Sequence, residues 1–308
     1  MEGKVCLITG ATAGIGFVTA RELARRGASV TIVGRNVERC RVACEAITRE
    51  AKYHVEYIVA DLSAQSDVRR CAHEFLARQR KLDVLINNVG AMFALRNESV
   101  DGIEMTLALN HLAPFLLTNL LLDALKRAAP ARIVNVASEA HEDIDRFDFN
   151  DPQAKRGYPT SEISSLFFSL LRPMSHPAIF QYARTKLANI LFTRELAERL
   201  AGSGVTANAL HPGIVASEFG SRNGIYGWFT RRFLALTGMS VEEGAKTSIY
   251  LATAPELENV SGEYFVKCRP ARCSDAARDD AAAKRLWRLS EELTRDREHA
   301  TIFPPNCR

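Results

Sequence analysis

The sequence predicts an α/β fold: one doubly wound domain across residues 1–308, on a parallel sheet of about seven strands with helices on both faces. Three observations carry this. Short runs rich in Val and Ile recur along the chain, longer helix-period patterns separate them, and a glycine cluster falls between the first run and the first helix. Strands buried on both faces read as continuous apolar runs, so these runs imply a parallel sheet covered on each side.

The elements follow in order. Residues 5–8 begin the sheet, and the glycine cluster opens a helix at 14–26. A second strand at 30–33 leads into a helix at 36–51, a third at 55–59 into a helix at 66–79, and a fourth at 84–86 into a helix at 102–127. The apolar stretch 112–125 in this last helix is interrupted by Thr118, Asn119 and Asp123, which predicts a core helix rather than a membrane span. A fifth strand at 133–136 ends at Ser138, and residues 139–181 are too long for a simple strand-to-helix connection, so they form an insertion. Its stretch 163–171 is apolar enough for a short helix, with Phe167 and Phe168. A helix at 182–201, a strand at 206–210, an aromatic loop at 219–239 with Trp228 and Phe229, a helix at 241–254 and a strand at 263–266 complete the alternation. Ser240 and Glu243 have the spacing of a capping box at the start of the 241–254 helix.

Composition narrows the function. Hydrophobic residues make up 47% and charged residues 25% of the chain, which is ordinary globular usage. The net charge of +4 is spread among acidic residues, so no nucleic-acid surface is predicted. Seven cysteines without a CxxC pair suit a reducing compartment, and the chain enters its first strand almost at once, so a cytoplasmic protein is expected. Cys40 and Cys44 share a helical face without further ligands and read as packing; Glu142, Asp143, Asp145, Asp148 and Asp151 read as a solvated loop rather than a metal site.

The glycine cluster carries the first chemistry. In Gly10-Ala-Thr12-Ala13-Gly14-Ile15-Gly16 the glycines follow a strand and open a helix, where a dinucleotide's pyrophosphate meets bare N–H groups at the positive helix end. Enzymes using NAD hold the adenosine ribose with an acid at the end of the second strand. Here Gly34 occupies that place, followed by Arg35 and Asn36. No carboxylate repels a 2′-phosphate and Arg35 can bind one bidentately, so NADP(H) is the expected cofactor.

A tyrosine followed four residues later by a lysine on one helix can act as an acid/base pair, because the nearby ammonium favours the phenolate. Tyr182 and Lys186 are the only such pair among the seven tyrosines. The same motif occurs in nucleotide-sugar epimerases, but their glycine spacing and strand-end acid are missing here.

Glycine spacing, Asn87-Asn88-Val89-Gly90, Ser138, Tyr182-xxx-Lys186 and Pro212-Gly213 together resemble the short-chain dehydrogenase/reductase family, from residue 4 to about 294. The segments 110–118, 186–196 and 209–213 and the terminal helix 280–293 look most like its retinol dehydrogenase and WW-domain oxidoreductase branch. The resemblance implies a Rossmann-type fold. It implies that Ser138 hydrogen-bonds the substrate oxygen, that Tyr182 transfers the proton, and that a backbone kink at Asn110 relays protons to Lys186. It also implies that Asp61 and Leu62 meet the adenine, that Asn88 and Gly90 lie beside the ribose, and that Pro212, Gly213, Ile214 and Ser217 cover the nicotinamide. Val89 departs from the family's alanine. A homodimer is implied through the helices beginning at 102 and 182. His111 and His211 read as structural, since no acid or nucleophile pattern accompanies them. The expected reaction is hydride transfer with a bulky apolar ketone, aldehyde or secondary alcohol, the 163–171 and 219–239 segments forming an apolar lid; the alternative is a cofactor-binding scaffold of the same fold with little turnover.

Overall fold

The computed structural model describes residues 1–51, 53, 55–156, 158, 176–215 and 239–295. Among them eight strands form one sheet: β1 (Val5–Thr9), β2 (Ser29–Gly34), β3 (Val55–Val59), β4 (Val84–Asn87), β5 (Ala131–Val136), β6 (Val205–His211), β7 (Tyr264–Val266) and β8 (Arg269–Pro270), in the order β3-β2-β1-β4-β5-β6-β7-β8. The first seven are parallel. The short β8 is an addition to the expected sheet: it pairs antiparallel to β7 after Lys267 and Cys268, both with positive φ. Two strand residues carry too little apolar pattern to be read from sequence.

Among the described residues seven helices cover the sheet: α1 (Gly14–Arg25), α2 (Val37–Thr48), α3 (Gln65–Arg78), α4 (Met105–Arg127), α5 (Pro177–Arg199), α6 (Val241–Thr253) and α7 (Asp280–Leu293). Strand side chains alternate between two cores. Leu7 joins Phe75, Leu121, Leu125 and Phe192 on one side, whereas Cys6 and Ile8 join Leu23, Ile47, Leu251 and Phe265 on the other. Within the described residues α4 alone is long and apolar enough to cross a membrane, yet 72% of its most apolar window is buried in the protein, which makes it a core helix.

Two helix starts differ from expectation. Helix α5 begins at Pro177, five residues before Tyr182, because Pro suits the first turn and His176 caps it, with Nδ1 accepting from Ala178 N at 3.1 Å. Tyr182 therefore stands in the second turn, on an ordered helix rather than at a fraying end. Helix α4 begins at Met105 because Glu104 is its cap, the two carboxylate oxygens accepting from Thr106 N and Leu107 N, each at 2.8 Å. Of the capping box, one half forms: Ser240 Oγ accepts from Glu243 N at 3.2 Å, while the Glu243 carboxylate pairs with Lys246 at 2.5 Å.

Candidate active site

All seven parallel strands point their C-terminal ends at one edge, where the first loop turns into α1. Gly10 and Gly14 there have φ of 66° and 60°, a region that disfavours side chains. A Cβ at Gly16 would lie 2.5 Å from Asn88 Nδ2 and 2.6 Å from Gly10 O, so only glycine lets the loop close on Asn88. The Asn88 amide donates to Thr9 O at 2.9 Å and Gly10 O at 3.1 Å, while Thr9 Oγ1 accepts from Asn88 N and Val89 N. Ala13, the residue before α1, offers no side-chain cap, and bare N–H groups remain at the helix mouth. Next door, Asn87 Nδ2 donates to Thr118 Oγ1 at 3.0 Å and Asn135 Oδ1 at 2.8 Å, stitching β4 to β5 and α4. Val89 packs at the edge of the core, so its extra bulk is accommodated.

Two clefts meet at Gly10, Val89 and Gly90 and together make one elongated groove. One half is lined by Thr12, Gly34, Arg35, Asn36, Arg39, Asp61 and Leu62. Arg35 is exposed at its rim, and Asn36 is committed to capping α2, with Oδ1 accepting from Arg39 N at 2.9 Å. A Cβ at Gly34 would lie 2.5 Å from Thr12 Cγ2 and 2.8 Å from Cys40 Sγ, so an acidic side chain there would have to displace both side chains. The Asp61 carboxylate is turned onto the next turn, accepting from Ser63 N at 3.0 Å and Ser63 Oγ at 2.7 Å.

The other half is lined by Ala13, Ile15, Gly16, Asn88, Ser138, Tyr182, Lys186, Pro212, Gly213 and Ile214. Strand β5 delivers Ser138, α5 delivers Tyr182 and Lys186, and β6 runs into Pro212 and Gly213. Lys186 is 2% exposed, and its Nζ donates to Val136 O at 2.9 Å and lies 5.3 Å from the centroid of the Tyr182 ring. Asn110 is fully buried in a π-helical turn, Ala108–Leu112, which supplies the expected irregularity in α4. Its amide is clamped, Oδ1 accepting from Ala91 N and Nδ2 donating to Ala91 O, both at 2.8 Å, and to Thr185 Oγ1 at 3.1 Å. Thr185 Oγ1 in turn donates to Tyr182 O at 2.7 Å, so α4 and α5 are locked beside the pair.

Burial dominates the acid/base behaviour of this site. It pushes the Tyr182 phenol up to about 12, a hydrogen bond with Ser138 acting in the other direction, and brings the Lys186 ammonium down to about 8. A tyrosine shifted toward neutrality by its lysine is therefore not what the protein alone provides: desolvation outweighs a charge that sits over the ring rather than at the hydroxyl.

Ser217 and the 163–171 and 219–239 segments lie outside the described residues, apart from Met239. A Cβ on Gly213, whose φ is 91°, would sit 2.6 Å from Met239 Sδ, which is why glycine follows Pro212. In the acidic stretch, Asp151 caps its own loop, accepting from Lys155 N at 2.8 Å and Arg156 N at 3.0 Å. His111 is buried between helices, with Nε2 2.8 Å from Ser290 Oγ. His211, in contrast, lines the groove, and His141 lies directly behind Ser138. The sequence reading took His211 as structural and passed over His141, whose partners, Ser138 O and Ser274 N, are backbone atoms and leave no residue pattern.

A strand–glycine–helix groove beside a tyrosine and a lysine defines a dinucleotide-binding oxidoreductase architecture. The comparisons make this specific. A family model described as short chain dehydrogenase matches residues 4–144. Retinol dehydrogenase 12 of Mus musculus is 43% identical over 95% of this chain and 87% of its own length, and retinol dehydrogenase 13 of Homo sapiens is 40% identical over 95% and 85%. A solved structure of an uncharacterized protein from Mycobacterium paratuberculosis superposes with a TM-score of 0.71, at 33% identity over 95% of this chain and 94% of that one. A solved structure from Beutenbergia cavernae, described as an NAD(P) dependent gluconate 5-dehydrogenase by assignment and holding NADP at low occupancy, gives a TM-score of 0.64 at 26% identity over 87% and 96%. The chain belongs to the short-chain dehydrogenase/reductase family, on its retinol dehydrogenase branch.

Proposed function

We propose that the protein is an NADP(H)-dependent oxidoreductase that interconverts a bulky apolar ketone or aldehyde and the corresponding alcohol, with Tyr182 as the acid/base. The observation that carries this reading is the meeting of Ser138, Tyr182 and Lys186 in one cleft that continues into the glycine groove. When bound, NADP(H) supplies the hydride and, in its oxidised form, a positive charge.

The residues fit that group. The glycine loop leaves a cradle that side chains would fill at Gly16 and Gly34. Arg35 at the rim suits a 2′-phosphate, and Gly34, packed against Thr12 and Cys40, stands where the acid that selects NAD would be. The NADP-bound Beutenbergia relative supports the same assignment. Apolar Ile214 and Val215 line the cleft beside Tyr182 and suit an apolar substrate, as does the similarity to proteins named retinol dehydrogenases.

Ser138 Oγ hydrogen-bonds the substrate oxygen, and Tyr182 Oη gives that oxygen a proton in the reductive direction and removes it in the oxidative one. With its phenol held up at about 12, Tyr182 carries its proton at neutral pH and is ready to act as the acid. Lys186, at about 8, is mostly an ammonium at pH 7; it steadies the phenolate left behind, and its grip on Val136 O keeps it in place.

The test measures equilibrium binding of NADPH and NADH to wild type and Arg35→Ala, then NADPH oxidation with small and bulky carbonyls, with Tyr182→Phe as control. Preferred NADPH binding that Arg35→Ala abolishes, with turnover lost in Tyr182→Phe, is the expected result. A preference for NADH overturns the cofactor assignment. Undiminished turnover in Tyr182→Phe overturns the acid/base assignment.

A further inference from the structure

The peptide unit that follows Ser138 is held on both of its polar atoms by a histidine. Its carbonyl, Ser138 O, lies 2.8 Å from His141 Nδ1, and its N–H, on Glu139, donates to His211 Nδ1 at 3.1 Å. A carbonyl can only accept, so His141 carries hydrogen on Nδ1; its Nε2 accepts from Ser274 N at 3.1 Å, which makes the ring neutral. An N–H can only donate, so His211 Nδ1 is bare and its hydrogen sits on Nε2, 3.5 Å from Glu139 Oε2. The two imidazoles thus adopt opposite neutral tautomers, matching the opposite polarity of the two ends of one peptide.

Neither contact is needed to close the sheet. The β5–β6 ladder already ends in the Val136↔Leu210 pair and the bond from Ala137 N to Leu210 O at 2.8 Å. What the clamp fixes is the plane after Ser138. That plane sets where Ala140 N lies, and Ser138 Oγ accepts from Ala140 N at 3.2 Å. Rotating the plane withdraws this partner and frees the hydroxyl to turn away from the cleft.

We propose that His141 and His211 are positioning residues that lock the Ser138–Glu139 peptide from opposite sides and thereby aim the Ser138 hydroxyl at the substrate oxygen. This rests on the oxidoreductase reading above. Through His141 the serine is tied to Ser274, in the segment leading to α7; through His211 it is tied to the residue before Pro212 and Gly213. A shift in either the segment around Ser274 or the turn at Pro212 and Gly213 is therefore felt at the hydroxyl.

The experiment has two arms on the full chain. In the first, His141→Phe, His141→Asn and His141→Gln are compared with wild type for kcat with a carbonyl substrate and for NADPH binding. His141→Phe lowers kcat about 100-fold, the cost of a misplaced reacting group, with NADPH affinity unchanged. Asn places an N–H at the δ position and restores kcat. Gln reaches only the ε position, where it can satisfy Ser274 N but not Ser138 O, and does not restore it. Rescue by Gln and not by Asn, or a His141→Phe enzyme with wild-type kcat, overturns the proposal. The second arm needs no turnover: 15N imidazole shifts of the labelled wild-type protein report a hydrogen on Nδ1 of His141 and on Nε2 of His211. Any other pair of tautomers overturns the clamp even if the chain reduces no carbonyl tested, whereas the stated tautomers in a protein without turnover leave the clamp standing and sink the oxidoreductase reading.

Discussion

Replacing Gly16 by Ala tests whether close backbone approach is the purpose of the glycine loop. Gly16 lies in the first turn of α1, where helix propensity alone favours Ala by about 1 kcal/mol. Sterics oppose this. The new methyl carbon would stand 2.5 Å from Asn88 Nδ2, 2.6 Å from Gly10 O and 3.0 Å from Ala11 Cα, and two of these three are backbone atoms that cannot swing aside. Relief requires Asn88 to retreat, which breaks its bonds to Thr9 O and Gly10 O, each worth about 1 kcal/mol. Overpacking adds about 1–3 kcal/mol. The balance is a loss of about 2–4 kcal/mol, within the 5–15 kcal/mol or so that holds a folded domain together, so the variant folds but melts earlier. Because the displaced atoms form the dinucleotide cradle, affinity falls by about 10-fold or more, each factor of ten corresponding to about 1.4 kcal/mol. Thermal melting and NADPH fluorescence titration read both quantities. A melting temperature at or above wild type with unchanged affinity would refute the argument, since propensity would then have won and the close approach would count for nothing.

Other outcomes follow from named contacts. His111, held down to about 4 by burial, binds fewer protons folded than unfolded as pH falls from 6.5 to 4; stability therefore drops by about 3 kcal/mol across that window, and denaturant titrations of His111→Gln should show a flatter profile there. Lys186, down at about 8, also binds fewer protons folded, so it makes stability rise between about pH 8 and 10.5; the difference between wild type and Lys186→Met in ligand-free protein should change by about 3 kcal/mol over that range and be flat below it. Tyr182 has the opposite sign: raised to about 12, it keeps its proton when folded, and its contribution is lost as pH climbs above 10, an effect that Tyr182→Phe should remove. Trp287 packs edge-on to Phe115 at 5.0 Å between centroids and lies under Arg199, so Trp287→Ala should cost about 3–5 kcal/mol in chemical denaturation with cofactor affinity unaffected.

What could be read from the sequence divides along a physical line. Strands β1 to β7 were visible because burial on both faces demands unbroken apolar runs. The glycine loop was visible because positive φ demands glycine at Gly10 and Gly14, and close approach to Asn88 and the Gly10 carbonyl demands it at Gly16. Tyr182 and Lys186 were visible because a four-residue spacing on a helix fixes their relative direction. The start of α5 was misread because its signal is a histidine acting as a cap ahead of a proline, a role usually filled by Ser, Thr, Asp or Asn. Glu104 was hidden for a related reason: its carboxylate looks like a solvated charge in sequence, yet it is buried as the cap of α4 and accepts from Gln181 Nε2 at 2.8 Å, one residue before Tyr182.

The protonation states of the site were the least legible, and the reason bears on how it works. Spacing alone states that a lysine is near a tyrosine, but not whether charge or desolvation governs the pair. In the folded chain Nζ is drawn onto Val136 O and lies 5.3 Å from the centroid of the Tyr182 ring, over its face rather than at the hydroxyl. Both are shifted toward their neutral forms, the cost of which must be met by the rest of the fold. A site arranged this way binds a cationic ring more favourably with the phenol ionised than with it protonated, and proton release on binding oxidised cofactor follows. Titration of ligand-free protein with NADP⁺ in weakly buffered solution near pH 8 should therefore acidify the medium in wild type and do so less in Tyr182→Phe. Equal proton release from the two proteins would assign the released proton elsewhere, Lys186 being the first alternative, and would remove the coupling between cofactor charge and the Tyr182 phenol.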